Sequence, residues 1–256
     1  MSIGKAILIA SLSIILIPII FLILIIIGMF PSTAPPQPPY IKVTNQPAGI
    51  YYEFESPPTT ALAGYYCIYN ATVASTGWLV NGTYQPNPST YSPPGYSIQL
   101  NAQLSNGLYL QNMYGIAWAS NGTPLLEEET WSGQTLLSTV IGPQANKCGW
   151  LIISIKNGIA YFGYSSDGVH VIWYANYTVG NTTIKPGFET NLVIAGPGNS
   201  AGVNFTSLYV VLALWYWNGT AWAPAQTYVA GENPGTAEFV VNAWVYNYNN
   251  TAIVTW

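Results

Sequence analysis

Apolar and polar residues alternate with a period of two along several stretches of the chain. Residues 97–104 (SIQLNAQL) follow this pattern, which is typical of a β-strand with one buried face. Two further apolar runs, 150–155 and 159–164, flank the tripeptide Lys156-Asn157-Gly158. Asn-Gly is favoured in two-residue type I′ turns, because both central positions need a positive φ. We therefore predict a β-hairpin here.

Runs of β-branched and aromatic residues continue towards the end of the chain. Asp167-Gly168 predicts a turn into a strand over 169–174, and further strands are expected over 208–217, 237–246 and 252–256. No segment after residue 29 combines a helical period with capping residues. Short strands separated by Gly- and Asn-containing turns predict an all-β fold, an antiparallel β-sandwich.

The amino-terminal region has a different pattern. Residues 6–29 are uncharged and mostly Ile, Leu and Ala, and about 20 such residues span a bilayer. A cleaved secretory signal is the alternative, but its apolar core usually has about 7–15 residues. We therefore predict a transmembrane helix over 6–29, kinked at Pro18, which membrane helices tolerate.

The flanks of this helix predict an orientation. Lys5 is the only charge in the short tip 1–5, and positive flanks favour the cytoplasmic side of a membrane. Residues 30–40 include the run PSTAPPQPP, which favours extended polyproline II and would act as a semi-rigid spacer. The domain over 41–256 is then expected outside, on a cell envelope or a virion surface.

Composition narrows the class of protein. Only 5% of the 256 residues are charged, whereas a soluble domain carries about 25%. The 50% hydrophobic and 14% aromatic content excludes a disordered chain. Five Lys, no Arg and a net charge of −4 predict no nucleic-acid partner. Uncharged polar residues replace Lys and Glu, which favours an acid-adapted exterior protein; a crowded neutral lattice would give the same bias.

Glycosylation would supply the missing hydrophilic layer. Sequons of the form Asn-x-Ser/Thr suit exposed turns, and three of them read Asn-Gly-Thr. Chance is the alternative origin, because the chain is rich in both Asn and Thr. The candidate N-glycan sites are Asn70, Asn81, Asn121, Asn176, Asn181, Asn204, Asn218 and Asn249.

Cys67 and Cys148 are the only cysteines. Two cysteines with a single distant His do not make a zinc site, so we predict no metal centre. In an exterior protein they favour a disulfide, which would close a loop of about 80 residues and add about 4 kcal/mol of stability. Two buried free thiols are the alternative. No nucleotide fingerprint is present, because Pro197 interrupts the Gly196–Gly198 turn, and we predict no cofactor.

An ordered series of short motifs resembles the thermopsin family of archaeal acid peptidases, over about 200 residues from residue 46 onward. Two motifs carry most of the resemblance: LYLQNM at 108–113 looks like the family's Tyr-x-Leu-Gln strand, and FETNLVIAG at 188–196 looks like its Ala-Glu-Leu-Val segment. The others, in family order, are PAGI at 47–50, IQLN at 98–101, FTS at 205–207, LWYWNG at 214–219 and GTAEF at 235–239.

The resemblance implies a lectin-like jelly-roll sandwich with a catalytic Gln/Glu pair on neighbouring strands. Gln111 and Glu189 match that pair, and Glu238 is the next carboxylate candidate. A carboxylate there would activate water, and the Gln amide would hold the water and stabilise the oxyanion. This chain departs from the pattern at Gly235, where the family has an acid. Asp167 is the only aspartate of the domain, which excludes a paired-Asp mechanism.

Other candidate residues have less distinctive surroundings. Glu127–Glu129 would be a metal or substrate patch, but a solvated acidic loop after Gly122 is the expected structure. His170, in a predicted strand, is expected to be exposed and without a role. The aromatic run Trp215-Tyr216-Trp217, together with Trp222, would form a sugar-binding platform, although at least one of its faces is expected in the core.

Three functional hypotheses follow, of which the first is preferred, and the family resemblance implies an acidophilic archaeon or its virus as the source. The first is a non-catalytic surface protein, an envelope, adhesion or virion-coat component that contacts other surface proteins; scarce charge, sequons and altered acidic motifs favour it. The second is a membrane-tethered acid endopeptidase of the thermopsin type, favoured by Gln111 and Glu189. The third is a pilin-like filament subunit, because pilins also combine an apolar helix with a β-domain.

Overall fold

A computed structural model describes residues 40–87, 95–116, 122–230 and 237–256. These residues form strands, turns and irregular connections, with no helix among them. Accordingly, the described part of the chain has no helix that is long and apolar enough to cross a membrane. The predicted transmembrane helix and the Pro-rich spacer up to residue 39 lie outside the described residues.

Two β-sheets make up the fold. The ten-stranded sheet runs β1-β16-β17-β13-β3-β9-β10-β11, with β4 paired to β3 and β14 paired to β13. Its strands are β1 (Ile41–Gln46), β3 (Ala61–Val80), β4 (Thr83–Pro86), β9 (Cys148–Lys156), β10 (Ile159–Ser165), β11 (Ile172–Thr178), β13 (Gly202–Trp217), β14 (Trp222–Pro224), β16 (Phe239–Tyr248) and β17 (Thr251–Thr255).

The seven-stranded sheet runs β15-β2-β12-β5-β6-β7-β8. Its strands are β2 (Ala48–Tyr52), β5 (Tyr96–Gln103), β6 (Leu108–Ile116), β7 (Leu125–Ser132), β8 (Thr135–Gln144), β12 (Gly187–Ala195) and β15 (Thr227–Ala230). Pairing is antiparallel throughout the described residues, except for a short parallel pairing of β13 with β16 at Gly202 and Val203.

The hydrophobic core draws its side chains from both sheets, as in a β-sandwich. Leu62 and Tyr66 of β3 contribute from one sheet, and Leu100 and Leu192 from the other; all four are fully buried. Gly64 of β3 marks the close approach, because a Cβ added there would come within 2.8 Å of the Leu192 side chain. The predicted all-β antiparallel fold is therefore confirmed.

The strands and turns predicted from short stretches of sequence lie close to those of the structure. β9 and β10 form the predicted hairpin, with Lys156 paired to Ile159, and Asn157 and Gly158 have φ values of 53° and 75°. The strand predicted over 169–174 begins instead at Ile172. The carboxylate of Asp167 accepts hydrogen bonds from the backbone amides of Val169 and His170 at 2.8 Å, which holds that segment in a bend.

The predicted disulfide is present and joins adjacent strands. Cys67 of β3 lies directly opposite Cys148 of β9, with a Cα–Cα distance of 4.0 Å and a sequence separation of 81 residues. The bond links two of the central strands of the ten-stranded sheet.

Candidate functional site

The outward face of the seven-stranded sheet is polar in its middle. Alternation along β6 sends Leu110 into the core, and it turns Tyr109, Gln111 and Met113 to the other face. On β7 the same alternation turns Leu125, Glu127, Glu129 and Trp131 outward. Strand pleating thus collects amide, carboxyl and aromatic side chains on one surface.

Strand register aligns these side chains in a row. Asn191 of β12 lies opposite Asn101 of β5, Asn101 lies opposite Gln111 of β6, and Gln111 lies opposite Glu129 of β7. Directly opposite residues on an antiparallel pair have Cβ atoms about 4.5–5.5 Å apart. The row therefore ends with a glutamine amide beside a glutamate carboxyl.

A cleft of about 770 Å³ opens over this row. Residues 197–200 and the segment Ala237–Glu238 form one wall, while Leu136 and Ile141 of β8 contribute apolar surface. The cleft contains the carboxyl groups of Glu127, Glu129, Glu189 and Glu238 together with the Gln111 amide. A volume of this size lies within the range of small-molecule and peptide binding sites.

Hydrogen bonds fix the direction of the amides in the floor of the cleft. At one end, Ser97 Oγ donates to the carbonyl oxygen of Gly196 at 2.7 Å, so it must accept the 2.9 Å bond from Gln99 Nε2. At the other end, Asn191 Nδ2 donates to the carbonyl oxygen of Phe188 at 2.7 Å, so Asn191 Oδ1 must accept from Asn101 Nδ2 at 2.9 Å. Two backbone carbonyls therefore determine the orientation of the network.

The network leaves one atom of Gln111 for the cleft. Gln111 Nε2 donates to Asn101 Oδ1 at 3.1 Å and to Gln99 Oε1 at 3.3 Å, which uses both of its amide hydrogens. The carbonyl oxygen Oε1 has no partner among the described residues. Gln111 therefore presents a fixed hydrogen-bond acceptor to the cleft.

Glu129 has a carboxyl group whose pKa is strongly perturbed. Burial raises its pKa to about 7, and the charge of neighbouring Glu127 adds to the effect. The indole N–H of Trp131 donates to Glu129 Oε2 at 2.9 Å, which opposes the shift without cancelling it. Burial also raises the pKa of Glu127, partly offset by a hydrogen bond from Thr139. Glu129 therefore keeps its proton across the acidic range.

Glu189 and Glu238 reach the cleft from outside this pair of strands. Glu189 lies in the irregular part of β12, where the register to β2 shifts between Gly187 and Asn191. Such an irregularity re-aims side chains at sheet edges and sites. Glu238 precedes β16, and its Oε1 accepts a hydrogen bond from the backbone N–H of Ser200 at 3.1 Å, which joins the two segments of that wall.

Glu128 lies on the other face of β7. It is 0% exposed and accepts hydrogen bonds from Thr130 Oγ1 at 2.6 Å and Ser138 Oγ at 3.0 Å. Burial raises its pKa as well. The expectation of a solvated acidic loop at Glu127–Glu129 is therefore wrong, because the three residues are part of a strand that sends two carboxyls to the cleft and one to the core.

Gln111, Glu189 and Glu238, the three predicted catalytic residues, all lie in this cleft. Glu127 and Glu129 are the cleft residues that sequence reasoning placed in a loop. A period-two pattern was present there, since Leu125, Glu127, Glu129 and Trp131 alternate with Leu126, Glu128 and Thr130. No set of three His, Cys, Asp or Glu side chains among the described residues is close enough to hold a metal ion.

The remaining predicted positions lie away from the cleft. His170 is exposed, as expected, and its Nδ1 lies 2.7 Å from Asp167 Oδ2. Trp215 packs on Trp150 with ring centroids 4.8 Å apart, and Trp217 meets Trp222 edge-on at 5.8 Å. Of the candidate glycan sites, Asn204 is half-buried and Asn121 lies outside the described residues. The exposed ones are Asn70, Asn81, Asn176, Asn181, Asn218 and Asn249.

Comparison with known proteins adds no family to this description. The chain matches no model of a known protein family, and no curated protein matches it. The resemblance to the thermopsin family therefore stays a prediction from the sequence motifs.

Proposed function

We propose that the domain is an acid endopeptidase of the thermopsin type, on a jelly-roll sandwich. The observation that supports this proposal is the convergence of Gln111 with four glutamates in one cleft. The sequence alone favoured the non-catalytic hypothesis. The cleft reverses that preference, because it combines a carboxyl that holds its proton with other carboxylates available to accept one.

Glu129 is the general acid in this proposal. Its pKa of about 7 keeps it protonated at acidic pH. Because Trp131 donates to Oε2, the proton resides on Oε1. Proton donation to a leaving amine contributes about 10²–10⁴-fold to a hydrolytic rate.

Glu189 is the general base, which accepts a proton from the attacking water. Its carboxylate makes no hydrogen bond to a described residue, so both oxygens are available to water. Gln111 Oε1 accepts a hydrogen bond from the other hydrogen of the attacking water and so orients the water molecule. This differs from the role that the family resemblance implies, because the Gln111 amide hydrogens are already used within the floor network.

The reaction balances with these groups alone. Water oxygen bonds to the peptide carbonyl carbon as its proton passes to Glu189. Glu129 then gives its proton to the amide nitrogen, and the carbon–nitrogen bond breaks. The products are a carboxylic acid and an amine, and the proton on Glu189 returns to Glu129 through solvent.

The test is hydrolysis of a denatured protein by the full chain in detergent, between pH 2 and pH 8. Glu189→Gln and Glu129→Gln should each lower kcat about 100-fold or more, while Glu55→Gln, at an exposed turn, should not. The wild-type rate should fall as pH rises through about 7, because Glu129 then loses its proton. No hydrolysis by folded, disulfide-bonded wild type would contradict the proposal.

A non-catalytic role in a surface lattice is the second candidate, and strand β8 favours it. β8 is an edge strand with no charged residue, and Leu136, Leu137 and Ile141 are each more than 40% exposed. Uncharged apolar edges pair readily with other strands, which would join copies laterally. If this is the function, the full chain self-associates in analytical ultracentrifugation and Leu137→Lys abolishes it, whereas Tyr69→Lys, on another exposed side chain, does not.

The cellular setting belongs to the same proposal. We infer that residues 6–29 anchor the protein in the bilayer, with the domain outside and N-glycans on its exposed sequons. Scarce charge supports an exterior location, since glycans would then supply the hydrophilic surface. Intact mass of the natural protein measures the glycans, and protease access to the domain on sealed cells or virions measures the orientation.

A further inference from the structure

Tyr109 occupies a distinctive position in the floor of the cleft. It lies on β6, two residues before Gln111 and on the same face, and it is opposite Gln103 on one side and Trp131 on the other. Its side chain is 8% exposed. The ring is therefore held by packing on the rigid middle of the sheet.

The Tyr109 hydroxyl has no hydrogen-bond partner among the described residues, although it is buried. Buried polar groups are nearly always paired, and an exception calls for an explanation. Tyr109 lines the cleft with Glu127, Glu129, Glu189 and Glu238, and the charges of the last three raise the pKa of its hydroxyl.

The chemical state of this hydroxyl is well defined. Burial, with the neighbouring carboxylates, raises the pKa of Tyr109 well above its ordinary value. The group therefore keeps its proton at every pH at which the protein would work. It is an O–H donor held in place by packing, and no residue of the described ranges accepts its hydrogen bond.

The reaction proposed above lacks such a donor. When water attacks the peptide carbonyl, negative charge develops on the carbonyl oxygen, and a preorganised donor at that position lowers the barrier. Gln111 cannot supply one, because both of its amide hydrogens are bonded within the floor network. Glu129 is committed to the leaving amine.

We propose that Tyr109 is a further catalytic residue, whose hydroxyl donates a hydrogen bond to the carbonyl oxygen of the substrate peptide bond as it becomes an oxyanion. This role rests on the proposed peptidase function. Tyr109 transfers no proton: the hydrogen bond strengthens in the tetrahedral intermediate and weakens again when the carbon–nitrogen bond breaks.

The expected effect is specific to the transition state. Removal of one oxyanion donor lowers kcat by about 10²–10³-fold in characterised hydrolases. Tyr109→Phe should therefore lower kcat about 100-fold, with KM within twofold of wild type. Because the hydroxyl has no hydrogen-bond partner among the described residues, its removal should leave Tm equal or raise it.

The experiment compares full-chain wild type, Tyr109→Phe and Tyr114→Phe in the acid hydrolysis assay, with Tm measured for each. Tyr114 is the matched control, because it is a buried tyrosine of the same strand that faces the core. A peptide whose scissile amide is replaced by a secondary alcohol provides a second measurement. It should bind Tyr109→Phe at least tenfold more weakly than wild type in calorimetry.

The outcomes separate the two proposals. An active wild type with Tyr109→Phe within threefold of its kcat would overturn the role of Tyr109 and leave the peptidase function standing. A loss of kcat with an equally large fall in Tm would also overturn it, because the hydroxyl would then be structural. An inactive wild type would overturn the peptidase function, and the role of Tyr109 with it.

Discussion

The folded domain should lose stability as pH rises, and substitution of Glu129 by Gln should reduce that loss. In the unfolded chain this carboxyl has a pKa near 4.5, whereas in the folded protein the value is about 7. Between these two pH values the folded state holds a proton that the unfolded state has released, so stability falls as pH rises. The difference corresponds to about 3 kcal/mol, because one pKa unit is worth about 1.4 kcal/mol.

Ionisation of Glu129 destabilises the folded state as pH rises. Below pH 4.5 both states are protonated and the full stability is present; above about pH 7 both are ionised and the loss is complete. Glu129→Gln cannot ionise, so it should match wild type at pH 4 and exceed it at pH 8. Solvent that reaches the half-buried carboxyl reduces the gain, so we expect about 2–3 kcal/mol.

Urea unfolding of the full chain in detergent, followed by tryptophan fluorescence at intervals from pH 3 to pH 8.5, measures this effect. Glu55→Gln is the matched control, because it removes one carboxyl from an exposed turn. Wild type and control should lose stability in parallel across the range, and Glu129→Gln should lose less. A Glu129→Gln curve within about 0.5 kcal/mol of the control at pH 8 would refute the assignment of the raised pKa to this carboxyl.

Further substitutions test the fold. Replacing Cys67 and Cys148 by Ala should lower the unfolding free energy by about 4 kcal/mol in urea titrations, because the bond closes a loop of 81 residues; an unchanged midpoint would contradict this. Gly49→Ala should lower the unfolding free energy by about 3 kcal/mol or more, since the new Cβ would lie 2.2 Å from the backbone oxygen of Leu192. Gly115→Ala is the control: a Cβ there meets open space, and the loss should be under about 1 kcal/mol. Gly158→Ala should lower the unfolding free energy by about 1 kcal/mol, because φ there is 75° and a residue with a Cβ is strained at that angle. A Tm equal to or above that of wild type would argue against the type I′ turn.

The buried carboxyls make the stability of the domain depend on pH more than its surface composition alone suggests. The scarcity of surface charge predicts a stability that changes little with pH. Glu127, Glu128 and Glu129 add a dependence of the opposite sense to ordinary acid denaturation, because burial raises the pKa of all three. Each contributes stability that is fully present below the unfolded-state pKa and is lost as pH rises.

Much of the fold followed from local sequence. The hairpin at Asn157-Gly158 was predictable because a positive φ at two consecutive positions selects these residue types. The disulfide was predictable because the chain offers only one pair of cysteines and an exterior composition. Strand β5 was predictable from its alternation alone, and its start differs from the prediction by one residue.

The site needed the tertiary structure. Gln111, Glu189 and Glu238 were chosen from motifs, but their meeting in one cleft depends on strand register and on the wall that crosses residues 197–200. Three consecutive glutamates at 127–129 resembled a solvated loop, because sequence alone does not show which neighbours bury a carboxyl. The direction of the amide network was equally hidden, since one of the two backbone carbonyls that set it, that of Gly196, is 99 residues from its partner Ser97.

The sequence by itself determined the all-β class, the turns and the cysteine pair, because each depends on the conformational preferences or the chemistry of a few neighbouring residues. Only the tertiary structure decided that Glu129 holds a proton, that Gln111 presents an acceptor and that the Tyr109 hydroxyl is buried without a hydrogen-bond partner among the described residues. Those properties arise from burial and from contacts between strands up to about 100 residues apart in sequence, where electrostatic energies depend on what surrounds each group rather than on its type.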